Sequence, residues 1–136
     1  MIIQKEIHLK PYSRGVHLVS NEVLNQLPDL PDQGLLHLFI KHTSAGITIN
    51  ENADPSVRSD FESFMNFLVP ENWQGYTHTM EGSDDMPAHI KSTLFGSSVT
   101  VPVSGHQLNM GVWQGVYLGE FRNHASGRVI IATIYY

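Results

Sequence analysis

The sequence of 136 residues contains no cysteine, which excludes disulfide bonds, thiol catalysis and cysteine-ligated metal sites. Charged residues make up only 15% of the chain, whereas about 25% is usual in soluble domains. The eight lysines and arginines are scattered and are outnumbered by thirteen acidic residues, so no nucleic-acid-binding surface is expected. Two of the basic residues, Arg58 and Lys91, either face a junction with a partner subunit or are solvated charges on helices, and the second interpretation is preferred. The scarcity of charge indicates that a partner covers part of the surface.

Long hydrophobic runs are also missing. The longest unbroken apolar run covers only residues 129–132, and a membrane-spanning helix needs about 20 apolar residues. The first residues lack the charged and then apolar pattern of a secretion signal. Glycine and proline are spread along the chain rather than gathered in a linker. We therefore expect one cytoplasmic domain over residues 1–136, with no membrane attachment.

The hydrophobic pattern predicts many short strands and few helices. Apolar and polar residues alternate over residues 3–9, which is typical of a strand with one buried face. Asp54 and Pro55 form a helix start, and apolar residues then recur on one face at helical spacing until Pro70, which predicts an amphipathic helix. The pattern favours an antiparallel sheet or sandwich with helices packed on it. Further strands are predicted over 16–19, 35–41, 47–50, 98–103, 108–111, 116–122 and 129–136, and further helices over 21–27 and 87–95.

Polar residues concentrate first in residues 42–54, which follow an apolar strand and lead to the start of the long helix. This segment contains a histidine, three hydroxyl side chains, two asparagines, a glutamate and an aspartate. Turn formation explains Ser44 and Asn52, and helix capping explains Asp54. His42, Asn50 and Glu51 are left without a structural reason, so the segment is interpreted as part of a functional site.

A second polar cluster follows the long helix. His78 and His89 stand at its two ends, and between them lie three carboxylates, Glu81, Asp84 and Asp85. Imidazole and carboxylate groups together bind divalent metals, and an open site needs about three protein ligands. The eleven-residue spacing of the two histidines matches no short zinc signature, and the acidic residues also fit a solvated loop. The histidine pair nevertheless favours a metal site, which should weaken below about pH 6.5 as histidine protonates.

A third cluster lies in residues 111–122, where glycines surround Trp113 and Gln114. Glycines within a strand indicate a bulge or the close approach of another backbone or a ligand. Glu120 and Arg122 are two residues apart, so they share one face of the strand. They fit a structural ion pair, a subunit interface, or an arginine that holds a phosphate or carboxylate. The sequence leaves these alternatives open.

These three clusters resemble the YjbQ-like family, whose members are often labelled secondary thiamine-phosphate synthase. The matching blocks are HTSAGITINENADPSVRSDFE at 42–62, HTMEGSDDMPAHIKSTLFGSS at 78–98 and GVWQGVYLGEFRN at 111–123. The resemblance covers essentially the whole chain. It implies an α+β fold, namely an antiparallel β-sandwich with two or three helices packed on it. It also implies a homotrimer, which would account for the low charged fraction.

The resemblance further implies which residues form the site. Arg122 is expected to bind a substrate anion, and Glu81, Asp85 or Glu120 to orient the histidines. The expected metal ligands are His42, His78 and His89. The expected catalytic groups are His42, Glu81, Asp85 and Glu120, and the expected substrate-binding residues are Asn50, Asn52, Asp54, Trp113, Gln114 and Arg122.

The activity that the resemblance implies is the coupling of a pyrimidine pyrophosphate to a thiazole phosphate, which gives thiamine phosphate and pyrophosphate. The expected partner is therefore a small phosphorylated substrate. A histidine-rich ligand set favours zinc, nickel or iron, whereas enzymes that transfer pyrophosphate usually hold magnesium through carboxylates, and magnesium would then arrive with the substrate. Two alternatives stay open: a metal-dependent hydrolase or phosphatase that uses the same residues, and a trimeric ligand- or metal-binding protein without turnover.

Overall fold

The computed structural model describes residues 1–136 and contains eight strands, all paired in antiparallel fashion. The strands are β1 (Ile2–His8), β2 (Gly15–Leu18), β3 (Gln33–Ile40), β4 (Ala45–Glu51), β5 (Ser98–Ser104), β6 (Gln107–Leu108), β7 (Gln114–Glu120) and β8 (Val129–Tyr135). A five-stranded sheet has the order β1-β8-β3-β5-β6, and a three-stranded sheet has the order β2-β7-β4. The predicted α+β fold with antiparallel sheets is confirmed.

Three helices complete the fold: α1 (Ser20–Leu24), α2 (Pro55–Leu68) and α3 (Asp85–Phe95). The second helix begins where the sequence predicts, because the Asp54 carboxylate accepts a hydrogen bond from the backbone N–H of Ser56 at 2.9 Å. The first helix is shorter than predicted, and Ser20 does not cap it. The Ser20 hydroxyl instead accepts a hydrogen bond from the backbone N–H of Val116 at 2.8 Å. No helix combines the length and the hydrophobicity needed to span a membrane.

The core lies between the two sheets. One cluster of 15 buried hydrophobic residues draws on both sheets, and it includes Leu36 and Leu38 of β3 together with Ile47 of β4 and Leu118 of β7. Alternate residues of β3 point away from this core, so Leu35 is 45% exposed on the outer face. Because side chains alternate along a strand, only every second apolar residue of β3 faces the core and stabilises the fold.

Two of the helices cover the other face of the three-stranded sheet. Helix α3 approaches closely because Gly46 and Gly119, which pair across β4 and β7, carry no side chain. A Cβ atom at Gly46 would lie 2.9 Å from the Cβ of Phe95. Phe95 fills the space and meets Phe121 edge-on, with ring centroids 5.5 Å apart. This contact fixes α3, which carries the second polar cluster, against the sheet.

The apolar face of α2 is not buried in the single chain. This helix has no buried residue, and Phe64 and Phe67 are 60% and 79% exposed. After the first turn of the helix, Phe61 and Met65 are the only large apolar side chains that are half-buried. The helix lies in the outer layer of the molecule, so half of its amphipathic pattern faces solvent in a single chain.

Lys91 differs from its predicted place as a solvated charge. It is 1% exposed, and its ammonium group donates a hydrogen bond to Oδ1 of Asn66 at 2.6 Å. Arg14 donates to the same oxygen at 2.7 Å, and Arg14 also binds Glu71. Burial lowers the pKa of Lys91 below its usual value. This network joins α2 and α3 through polar contacts that the helical pattern alone does not reveal.

The strand predicted over residues 108–111 is not found there. The nearest strand, β6, ends at Leu108.

Adjacent leucines on the two faces of β3 test this packing. We expect Leu36→Ala to lower the free energy of unfolding by about 3 kcal/mol, because it removes a fully buried side chain and leaves a cavity. Leu35→Ala, the matched control on the outer face, should change it by less than about 1 kcal/mol. Urea unfolding followed by circular dichroism measures both. Equal losses in the two variants would contradict the assigned register.

Candidate functional site

Asp85 lies at the centre of the second polar cluster. It begins α3 and is 2% exposed. Its Oδ2 lies 2.7 Å from Nε2 of His78 and 3.2 Å from Nε2 of His89. His78 comes from the loop before the helix, and His89 lies one turn further along it, so the helix places His89 on the side of Asp85. The three possible ligand atoms lie within 4.8 Å of one another.

The hydrogen position on His89 follows from its second contact. Nδ1 of His89 lies 2.9 Å from the carbonyl oxygen of Thr43. A carbonyl oxygen can only accept, so Nδ1 carries the hydrogen and Nε2 of the neutral ring presents a lone pair. That lone pair faces the ionised Asp85 carboxylate, and such an arrangement is stable only with a proton or a cation between the two atoms. The donor set therefore fits a bound cation.

The chemistry and spacing of the three groups also fit a transition metal. Two imidazole nitrogens and one carboxylate oxygen suit zinc, nickel or iron, whereas magnesium prefers oxygen ligands alone. Zinc–ligand distances of about 2.0–2.2 Å place neighbouring tetrahedral ligands about 3.3 Å apart. The Asp85–His89 separation of 3.2 Å already matches this value. The shorter contact of His78 can widen, since the His78 side chain is 44% exposed.

Arg122 holds the remaining side of the carboxylate cluster. Its Nη1 donates to Oδ1 of Asp85, and its Nε donates to Oδ2 of Asp84 at 2.8 Å. Its Nη2 donates to the backbone carbonyl of Glu81 at 3.1 Å, while the Glu81 side chain is exposed. Asp84 also accepts the backbone N–H of Asn123 at 2.9 Å. Arg122 is thus engaged in positioning Asp85 and the acidic loop.

These contacts keep both carboxylates ionised. Burial alone raises the pKa of Asp84, but hydrogen bonds from Asn123 and Arg122 outweigh it and hold that pKa below 3.8. Burial likewise raises the pKa of Asp85, and the hydrogen bond from His78 and the charge of Arg122 bring it below 3.8. The hydrogen bond with Asp84 raises the pKa of Arg122. Asp85 is therefore available as an anionic ligand at neutral pH.

His42 lies on a cavity next to this group. Its Nε2 accepts a hydrogen bond from the backbone N–H of Val129 at 2.8 Å, so the ring hydrogen sits on Nδ1. Burial, and then the charge of Arg128, lower the pKa of His42, which is neutral at pH 7. His42 lies outside the three-residue group and offers an N–H donor rather than Nε2. The cavity, of about 550 Å³, is lined by His42, Thr43, Ala45, His89, Ser92, Thr93 and Ser97.

Glu120 is fully buried and has a positioning role. Its Oε1 accepts from Nε of Arg128 at 2.7 Å, and its second oxygen binds Nη2 of the same arginine. Arg128 also donates to the hydroxyl of Ser44 at 3.0 Å and to its carbonyl at 3.2 Å. Of the alternatives left open for Glu120 and Arg122, the structure supports a structural ion pair, but the partner of Glu120 is Arg128. Sequence reasoning missed Arg128, whose only signal is a charge directly before an apolar strand.

The expected substrate-binding residues other than Arg122 lie elsewhere in the chain. The β4–β7 register pairs Ala45 with Glu120 at one end and Glu51 with Gln114 at the other, which separates the two ends by about 20 Å. Asp54 caps α2, and the other residues of this group brace or flank the turn before β7. The residues at this far end are Asn50, Asn52, Asp54, Trp113 and Gln114.

Fold and site together define a class of protein: an α+β protein with two antiparallel sheets and a His–Asp–His group suited to a metal. The family model described as UPF0047 protein YjbQ-like matches residues 5–136. The chain belongs to this family.

The relatives support this membership over the full length. YjbQ of Escherichia coli O157:H7 is 52% identical in an alignment of 136 positions that covers 98% of each chain, and YjbQ of Salmonella typhimurium is 48% identical with the same coverage. A solved structure of a YjbQ/UPF0047 family protein from Clostridium acetobutylicum is 33% identical, with a TM-score of 0.78 over 97% of this chain and 98% of that one. A protein of unknown function from Sulfolobus solfataricus, 20% identical, has a TM-score of 0.83 over 98% and 96%, which supports the fold alone.

The ion pair of Asp84 predicts a specific dependence of stability on pH. Because the folded-state pKa lies below the ordinary value of 3.8, the stabilisation is complete above pH 3.8 and is lost as pH falls through the folded-state value. We expect Asp84→Asn to be less stable than wild type by about 2 kcal/mol at pH 7, with the difference vanishing in acid. Asp60→Asn, on the exposed side of α2, is the control. A pH-independent difference for Asp84→Asn would contradict the assignment.

Proposed function

We propose that this protein is a metal-dependent enzyme that acts on a small phosphorylated molecule. The observation that supports this proposal is the convergence of His78, Asp85 and His89 on one point. Arg122 and the Thr43 carbonyl hold the outer sides of Asp85 and His89. Such outer contacts orient ligands in metal sites and fix the histidine hydrogen. His78, Asp85 and His89 are the residues that would hold the cation.

The chain's own residues determine which ligands suit the neighbouring cavity. A divalent cation in the site would supply Lewis-acid stabilisation of negative charge on a phosphoryl oxygen. The Nδ1–H of His42 and the hydroxyls of Thr43 and Ser97 add neutral hydrogen-bonding groups, and no carboxylate lines the cavity. The buried charge of Arg128 acts on His42, whose pKa it helps to lower, and Arg128 binds the backbone of Ser44 beside the cavity. A volume of about 550 Å³ suits a small molecule.

Within this class, family resemblance supports the coupling of a pyrimidine pyrophosphate to a thiazole phosphate as the reaction. Both reactants carry the phosphoryl groups that the cavity favours. The imidazole-rich donor set favours a second candidate, hydrolysis of a phosphate ester, because zinc-type sites serve hydrolysis more often than pyrophosphate transfer. The two reactions differ in whether turnover requires the thiazole phosphate.

We further propose that the working form is a homotrimer. The low charged fraction and the exposed Phe39, Phe64 and Phe67 support an assembly that covers apolar surface. Light scattering should give three times the mass of one chain. A mass of one chain at every concentration would contradict this proposal.

Metal content tests the site directly. We expect tag-free protein to carry close to one equivalent of zinc, nickel or iron by elemental analysis, and His78→Ala/His89→Ala to lose it. Asp85→Asn should weaken the affinity by at least about 10-fold, since it removes the anionic ligand. Binding should also weaken in acid, because protons compete with the cation for the imidazole nitrogens.

The matched control for metal content is His17→Ala/His37→Ala, which removes two histidines outside the site and should retain the metal. No metal in wild type at neutral pH, before and after incubation with each of the three ions, would contradict the proposal. Equal loss in the control variant would assign the binding to non-specific histidine contacts.

Turnover tests the role of His42. We expect His42→Ala to lower kcat/KM by about 10²-fold while the metal content stays unchanged, because the variant removes a donor in the cavity and no residue of the ligand group. Formation of thiamine phosphate from both substrates, and phosphate release from each substrate alone, are measured side by side. An unchanged kcat/KM in whichever reaction proceeds would remove His42 from the active site.

A further inference from the structure

A second cleft lies at the opposite end of the three-stranded sheet from the candidate metal site. It has a volume of about 810 Å³ and is lined by ten residues, of which only three are hydrophobic. Volumes of about 300–1,000 Å³ are usual for sites that bind small molecules. The cleft shares no residue with the cavity that contains His42 and His89, and the length of β4, about 20 Å, separates the two.

Side chains from distant segments of the chain converge in this cleft over Gly115. A Cβ atom at Gly115 would lie 3.0 Å from Cβ of Asn52 and 3.3 Å from Oγ of Ser20. Asn52 follows β4 and Ser20 begins α1, so the fold brings these two polar side chains side by side. Leu18 and Met110 add apolar surface to the same cleft.

Hydrogen bonds within the chain fix which donor or acceptor each polar side chain offers to the cleft. The side-chain NH2 of Asn52 donates to two backbone carbonyls of the loop before β7 at 3.2 and 3.0 Å, so its Oδ1 is left as an acceptor. Oγ of Ser20 accepts the backbone N–H of Val116 at 2.8 Å, so its own hydrogen remains to donate. Oε1 of Gln114 accepts the backbone N–H of Gly111 at 2.8 Å, so its NH2 remains to donate. The cleft therefore presents one oriented acceptor and two oriented donors.

Glu22 supplies the single carboxylate of the cleft, and it is also held in place. Its Oε2 accepts the backbone N–H of Lys10 at 2.6 Å, and its Oε1 accepts the hydroxyl of Tyr12. Burial, and then the hydrogen bond with Glu22, raise the pKa of Tyr12 to about 12, so this hydroxyl stays a donor at neutral pH. Each carboxylate oxygen keeps a further lone pair for a ligand. The ammonium group of Lys10, 5.1 Å from the centre of the Tyr12 ring, balances the charge of Glu22.

These charges and hydrogen-bonding groups select a class of ligand. An anion would meet the carboxylate of Glu22, and a cation would meet the ammonium group of Lys10, so a neutral molecule fits best. A phosphate or carboxylate group without a proton only accepts hydrogen bonds, and it would leave Oδ1 of Asn52 without a donor. A hydroxyl group donates and accepts through one atom. Neighbouring hydroxyls of one molecule therefore satisfy the acceptors and the donors of the cleft together.

We propose that this cleft binds an uncharged polyhydroxyl molecule of the size of a mono- or disaccharide. Its hydroxyls donate to Asn52 and Glu22 and accept from Ser20 and Gln114, while its C–H groups pack on the apolar side of the cleft. Side chains that are already oriented lower the entropy cost of binding. The site is independent of the candidate metal ligands, since the two lie at opposite ends of the sheet.

Two asparagines at the rim of the cleft allow a test that leaves its framework intact. Asn21 and Asn25 line the cleft and are exposed, and neither side chain makes a hydrogen bond within the chain. We expect saturation-transfer NMR on the full chain, with a chelator present, to detect D-glucose, D-ribose or maltose with a dissociation constant in the low-millimolar range. Asn21→Ala/Asn25→Ala should raise that constant at least about 10-fold, because it removes two amide partners, with unchanged circular dichroism.

Asn72→Ala/Gln74→Ala, which removes two exposed amides outside the cleft, is the matched control and should bind the sugars as the wild type does. D-glucose 6-phosphate adds charge to the same ring and should bind the cleft no more tightly than D-glucose. No saturation transfer to any of the three sugars, or the same dissociation constant in wild type and Asn21→Ala/Asn25→Ala, would overturn the site. Tighter binding of the phosphate ester that this double substitution weakens would overturn the neutral class of ligand. The chelator keeps these outcomes separate from the proposed metal-dependent function.

Discussion

The buried carboxylate of Asp85 is the group on which the rest of the site depends. A carboxylate that is 2% exposed is stable only when its charge and lone pairs are compensated. Arg122 compensates one oxygen, while His78 and His89 meet at the other. The position of Asp85 in the first turn of α3 adds a favourable interaction with the helix dipole. The Asp85 side chain thus connects α3 with His78 in the preceding loop and with Arg122 in the segment after β7.

A second ion pair, Arg128 with Glu120, also bears on the orientation of His89. Arg128, neutralised by Glu120, binds both the hydroxyl and the carbonyl of Ser44. The neighbouring carbonyl, that of Thr43, accepts the Nδ1 hydrogen of His89 and leaves Nε2 directed at Asp85. The orientation of this ring is therefore set by groups that never touch the candidate metal position. The buried Arg128–Glu120 pair, although costly to bury, thus contributes to the orientation of a candidate ligand.

Local patterns could be predicted from the sequence, and partners between distant segments could not. Strand alternation gave the antiparallel sheets, and Asp54 followed by proline gave the start of α2, because both depend on neighbouring residues. The pairing of Glu120 with Arg128 depends on how the segment before β8 lies against the end of β7. The burial of Lys91 likewise depends on Asn66, which comes from another helix. The histidine cluster was predictable as a density of ligands, while its actual membership required the fold.

The exposed apolar side of α2 is continuous with the edge of the candidate site. In a single chain His78 and His89 are 44% and 31% exposed, so water screens the charges that would bind a phosphorylated ligand. The apolar surface that begins at a hollow beside His89 continues through Leu94 to α2. A surface that covers this apolar area, which includes the hollow beside His89, must also cover one edge of the candidate metal site. Binding of the cation and association of chains would then influence each other reciprocally, since any coupling free energy between two binding events acts in both directions.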